Sequence, residues 1–165
     1  MEKKTERKTE EAFLAASLGE ARAEFYQLRA KQDGEAGLAG LFGAMALSRK
    51  AQAKRFLHQL RGRIHSTGQN CGLAFDEEVP ARVREYERGE TIADEGNERA
   101  MAGAFSQSAR VEKILLSLRK KSDSNGNTPA EYHVCNFCGF VMAGEAPERC
   151  PICTAARSRF DQSDP

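Results

Sequence analysis

Large apolar residues recur at helical spacing through residues 9–120 and then give way to a different pattern. Leu14, Leu18, Ala21, Phe25 and Leu28 stand 4, 3, 4 and 3 apart, which draws one stripe along a helix and predicts that this stripe is buried. Thr9 with Glu10 and Glu11 suits the start of that helix, and Asp33-Gly34 suits its end. A second helix carries Leu38, Phe42 and Met45, then positions 49 and 52, then Phe56 on the same stripe. A third is expected over 79–95 with Val79, Val83, Tyr86 and Ala93. The fourth follows Gly96-Asn97 and carries Met101, Ala104, Ser108, Val111, Leu115 and Leu118.

Connection lengths suggest the topology. Residues 33–36 and 95–97 are tight, so helices one and two, and helices three and four, form antiparallel hairpins. The middle connection, Arg63 to Phe75, has thirteen residues and reaches about 40 Å if extended. That permits the single long crossover of ferritin-like bundles, the alternative being an up-down-up-down bundle with a loose loop. The polar run from Ser122 to Pro129 reads as a linker. The expected organisation is therefore a helical bundle over 1–121, a linker over 122–131 and a small module over 132–165.

That module carries the chemistry. Cys135-Asn-Phe-Cys138-Gly is followed, after an eleven-residue gap from Cys138 that includes that glycine, by Cys150-Pro-Ile-Cys153. Two Cys-x-x-Cys knuckles at this distance make a tetrahedral thiolate cage, which suits Zn²⁺ or a single iron. In each knuckle the backbone doubles back so that both sulfurs meet one ion, and Gly139 fits the left-handed residue that closes such a turn. So short a segment buries little core, and metal binding must supply much of its folding energy.

Composition narrows the class further. Charged residues make up 30% of the 165, and no apolar run approaches a membrane span, so a soluble protein without a membrane partner is expected. The charged start Met1-Glu2-Lys3-Lys4 lacks the apolar core of a signal peptide. Four cysteines at metal spacing plus the lone Cys71 point to a reducing cytoplasm. The net charge of +1 is uneven: residues 1–121 hold 22 Lys+Arg against 18 Asp+Glu, and residues 131–165 hold 3 against 5. A basic helical part and an acidic module could dock, in one chain or across a dimer. No basic stripe interleaved with aromatics is present, which argues against a nucleic-acid partner.

The stretch from Tyr132-His133-Val134-Cys135 to Gly144-Glu145-Ala146-Pro147-Glu148-Arg149-Cys150-Pro151-Ile152-Cys153 and Phe160 resembles the C-terminal rubredoxin-like domain of rubrerythrins. One departure is Thr154, where rubredoxins often carry Gly. The helical part resembles the same family. Gly19-Glu20-Ala21-Arg22-Ala23 to Tyr26 is similar to its first helix, and Leu41-Phe42-Gly43-Ala44-Met45-Ala46 to the run before its second ligand pair. The resemblance implies a ferritin-like bundle with two irons held by one Glu on each of two helices and Glu-x-x-His on the other two. It maps iron ligands onto Glu20, Glu78 and Glu112, with Glu77 a rival to Glu78 within one residue. Arg49, Gln52, Ala81 and Leu115 stand where further ligands belong. Arg49 is expected either to pair with the surviving glutamates where a metal ion would stand, or to reach solvent from a rotated helix.

What the resemblance implies is a mainly α protein that transfers electrons through a rubredoxin-type iron held by Cys135, Cys138, Cys150 and Cys153, without a normal di-iron centre. Peroxide reductase activity is then doubtful. A homodimer and a redox partner protein are expected with it. The alternative is a non-catalytic assembly or scaffold protein whose Cys₄ metal is structural zinc.

Overall fold

A computed structural model of the chain describes residues 2–61, 65–125, 129 and 131–163, with 123–125 as backbone alone. Its helices are α1 (Lys3–Gln32), α2 (Ala36–Arg61), α3 (Thr67–Gly72), α4 (Val79–Glu95) and α5 (Arg99–Asn125), with a π-helical stretch, Leu73–Glu78, joining α3 to α4. A three-stranded sheet follows: β1 (Tyr132–Cys135), β2 (Val141–Ala143) and β3 (Phe160–Gln162). Mainly helical hairpins followed by a small Cys₄ module are the class that the sequence implies. By compactness the chain divides into Met1–His65 and Ser66–Pro165, not at the expected linker. Helix α5 runs on through Asn125, so its last turn occupies the start of that linker.

In the first unit α1 and α2 form the expected hairpin, but through other residues. The buried positions are Ala16, Ala23 and Ala30 on α1 and Ala39, Ala46 and Ala53 on α2, each set spaced by seven. Small side chains at one position per heptad let two helices pack closely along a seam. The stripe expected to be buried is exposed instead: Leu14 is 63% accessible, Leu18 53%, Phe25 71% and Leu28 46%. Helix α1 also begins earlier than expected, at Lys3, so Thr9 is no N-cap; its hydroxyl donates to the Thr5 carbonyl within the helix. At the turn, Gly34 takes φ 78°, and Glu35 N–H donates back to the Ala30 carbonyl at 2.9 Å.

In the second unit the expected extended connection is largely helical. Ser66 caps α3 in a capping box: its hydroxyl accepts from Gln69 N–H, and the Gln69 side chain accepts from Ser66 N–H at 3.2 Å. Helical backbone then continues from Thr67 to Glu95, so residues 67–75 of the expected connection are helical. Residues 62–64 lie outside the described residues. Pro80 sits in the first turn of α4, although helical backbone precedes it. Proline cannot donate to the carbonyl four residues back, and the wider π turn directly upstream accommodates that missing bond.

Helices α4 and α5 form the second hairpin, with Ala93, Ala102 and Ala109 buried and Asn97 at φ 57° in the turn. Phe105 lies over Gly89, where a β-carbon would come 2.7 Å from the ring, so only glycine admits this contact. The sheet has the order β2-β1-β3, both pairs antiparallel, with Val134 opposite Val141 and Asp161. Its core is Cys135, Phe140, Cys150 and Ile152, joined by Val111 of α5 and flanked by Ile114. The metal module is thus seated on the middle of α5.

Candidate metal centre

Each pair of cysteines is presented by the same turn. In the first, Gly139 (φ 80°) donates its N–H to the Cys135 carbonyl at 2.8 Å, and Cys135 N–H donates to the Phe140 carbonyl at 2.9 Å. In the second, Thr154 (φ 65°) donates to the Cys150 carbonyl at 2.9 Å, and Cys150 N–H donates to Ala155 at 2.8 Å. The knuckles therefore repeat one geometry, and Thr154 adopts the left-handed backbone that Gly139 takes at no steric cost.

The four sulfurs converge. Cys135 Sγ lies 3.7 Å from Cys153 Sγ, and Cys138 Sγ 3.5 Å from Cys150 Sγ. All four Sγ atoms fall within 4.8 Å of one another, a separation that suits one tetrahedral ion. Cys135 and Cys150 are buried, whereas Cys138 and Cys153 are half-buried, so the cage has an inner and an outer edge. Backbone N–H groups aim at the sulfurs: Phe140 at Cys138, Cys153 and Ile152 at Cys150, and Ala155 at Cys153. Burial pushes the Cys138 and Cys153 thiols up, because a lone thiolate there loses hydration. Burial acts the same way on Cys150, but its two N–H donors and the neighbouring thiols outweigh it, and its pKa falls. Four thiolates crowded together with N–H donors suit a cation, which offsets charge that burial alone would not tolerate.

The expected ligands in the helices are distributed as follows. In the first unit Glu20 pairs with Lys50, Oε1 to Nζ 3.6 Å, not with Arg49. Arg49 is half-buried and donates from Nη1 to the Gly19 carbonyl at 2.9 Å. Gln52 donates to Ser48 Oγ at 3.2 Å. In the second unit Glu78, Ala81 and Glu112 line one pocket of about 500 Å³, together with Val79, Arg82 and Glu85. Burial raises the pKa of Glu112, and the positive charge of Arg82 opposes that rise. Leu115 is half-buried on α5. Among the described residues, the one group of three or more close metal-ligating side chains is the Cys₄ set.

Two participants escaped the sequence, Lys50 and Arg82, whereas the sulfur-directed N–H groups are what a Cys-x-x-Cys turn implies. Lys50 was legible only to within one residue. The alanines mirror one another about the turn, 16 with 53, 23 with 46 and 30 with 39, and the same mirror sets Glu20 opposite Arg49, one residue from the Lys50 with which it pairs.

A helical protein with a rubredoxin-type Cys₄ module is the class defined by this fold and site. Comparison with known proteins agrees: the family model "Rubrerythrin, rubredoxin-like domain" matches residues 133–161. A rubrerythrin of Porphyromonas gingivalis is 29% identical, with 93% of this chain and 89% of that protein covered. A putative rubrerythrin of Methanocaldococcus jannaschii is 23% identical, with 96% and 92% covered. Nigerythrin of Nitratidesulfovibrio vulgaris is 28% identical over 71 residues, 41% of this chain and 34% of that protein. The chain is thus similar to rubrerythrins over most of its length, and its C-terminal module matches the rubredoxin-like domain of that family.

Proposed function

We propose that this protein is a rubrerythrin-type electron-transfer protein that holds one iron in the Cys₄ cage and lacks a working di-iron centre. It works in the cytoplasm, as a homodimer, and exchanges electrons with a redox partner protein. The observation that carries this is the cage itself. Cys135 and Cys150 are sealed inside while Cys138 and Cys153 reach the outer edge, beside Phe137, which is 66% accessible. Iron in such a cage supplies a one-electron couple. The chain's own part is to fix four sulfurs rigidly, direct N–H groups at them, and keep water from the inner edge with Val111, Phe140 and Ile152. Rigid ligands lower the reorganisation that each electron transfer requires. Phe137 gives the outer edge an apolar contact suited to a brief protein encounter.

Against peroxide chemistry in the helices stand the side chains at the ligand positions. Arg49 and Lys50 bring two positive charges to Gly19 and Glu20 of α1, and Gln52, Ala81 and Leu115 offer no carboxylate or imidazole. No helix among the described residues is long and apolar enough to cross a membrane.

Metal analysis with visible spectroscopy tests the proposal. One iron per chain, thiolate-to-Fe(III) absorption and reversible one-electron reduction are expected. A colourless protein with stoichiometric zinc would replace electron transfer by a structural role. Three irons per chain with peroxide turnover would restore the di-iron enzyme.

A further inference from the structure

Helix α1 has two opposite faces that are both built for helix packing, and α2 fills only one. Ala16, Ala23 and Ala30 are buried in the hairpin seam. Each stands two residues after Leu14, Ala21 and Leu28, about 200° round the helix. On that far side, Leu14, Leu18, Ala21, Phe25 and Leu28 repeat at 4-3-4-3, and all five are exposed. A sustained 4-3 alternation is the a/d pattern of a coiled coil, with Leu18 and Phe25 at a and Leu14, Ala21 and Leu28 at d. An ordinary solvent-facing helix side would be polar here.

We infer that this outer face of α1 is the homodimer interface, paired in parallel with α1 of a second copy. The inference rests on the homodimer of the proposed function and names its surface. A heptad seam is self-complementary: in parallel register each residue meets its own counterpart, Leu18 on Leu18 and Phe25 on Phe25. Charge selects the orientation. Parallel pairing sets Glu24 of one copy beside Arg29 of the other, twice, at the flanks of the seam. Antiparallel pairing about Ala21 would set Arg22 against Arg22. The seam runs from Leu14 to Leu28, about 21 Å. With its flanks, two copies bury on the order of 1,000 Å², the size at which a specific interface begins.

Sedimentation of the metal-loaded protein, and of Leu18→Glu/Phe25→Glu, provides the first test. A dimer that the double variant weakens at least 100-fold, with helicity and metal content unchanged, is expected. A wild-type monomer would remove the homodimer itself. A double variant that stays dimeric would keep the homodimer and overturn this surface. If the double variant loses helicity, single cysteines introduced in a Cys71→Ser background decide. Ala21→Cys and Leu14→Cys should each form disulfide-linked dimers in air. Failure of Leu14→Cys alone overturns the parallel register, and failure of both overturns the surface.

Discussion

Arg49 reaches across the first hairpin and donates from Nη1 to the carbonyl of Gly19 at 2.9 Å. The bond exists because residue 19 has no side chain: a β-carbon there would lie 2.9 Å from Arg49 Cδ and 3.2 Å from Nε. The guanidinium is thus partnered by backbone at a half-buried site, and its removal strands no buried carboxylate. Arg49→Ala should therefore cost about 1–2 kcal/mol, the lower part of the range of a charged hydrogen bond because the site is only half-buried, and not the about 3–5 kcal/mol of a broken buried ion pair. Gly19→Ala should behave differently in the two backgrounds. With Arg49 replaced, it should gain the usual helical benefit of about 0.5–1 kcal/mol. With Arg49 present, that gain should vanish as the guanidinium is displaced. Denaturant unfolding of the four proteins measures the coupling, and additive effects would contradict the geometry.

Glu112 gives the second unit a pH signature. Burial raises its pKa above the ordinary carboxylate value, against the pull of Arg82. The folded chain therefore holds this proton more tightly than the unfolded chain does. Its contribution to stability is fully present below the unfolded pKa and is lost as pH rises through the folded one. Glu112→Gln should remove that slope, so the variant gains on the wild type as pH rises from the ordinary carboxylate range upward. Arg82→Ala should steepen it. Denaturant midpoints across this range check both, and an unchanged slope in Glu112→Gln would place the titration elsewhere.

The sequence disclosed the Cys₄ cage almost completely, because Cys-x-x-Cys is local: the turn that makes the site lies within five residues. Helix positions were equally legible from spacing, and α4 spans the expected 79–95. The packing was not. Period alone does not say which of two faces a helix buries, and on α1 the larger residues took the outer side while alanines took the inner one. Counting volume favoured Leu14 and Phe25; counting heptads would have shown two seams. Helicity from Thr67 onward was missed because the stretch was read as a connection, and Gly68 and Gly72 give it low helix propensity. The Ser66 capping box and the π turn offset them through hydrogen bonds that composition does not display.

Metal loss should be felt beyond the module. Val111 and Ile114 of α5 share a cluster with Cys135, Phe140, Cys150 and Ile152. Cys150→Ala breaks the cage, and the three remaining thiols cannot hold a closed tetrahedral ion. Hydrogen exchange should then show lost protection over 132–162 and also in α5 around Val111, while α1 and α2 keep theirs. Chelation of the wild-type metal should reproduce the pattern. Protection in α5 that survives metal loss would show that Val111 draws no support from the module.

Thr154 and Gly139 close equivalent turns with unequal strain. Both have positive φ, 65° and 80°, and both donate N–H to the carbonyl of the first cysteine of their pair. For a β-branched residue this backbone costs about 1–2 kcal/mol, whereas glycine adopts it freely. Thr154→Gly should therefore stabilise the module by about 0.5–1 kcal/mol, after the extra unfolded-state entropy of glycine is subtracted. Gly139→Thr should destabilise it by about 1–2 kcal/mol. The rate at which a chelator strips the metal is a direct readout, since stripping requires the knuckle to open: slower for Thr154→Gly, faster for Gly139→Thr. If Thr154→Gly loses metal faster than the wild type, the threonine side chain holds the turn by a contact that outweighs its strain, and the equivalence of the two knuckles fails.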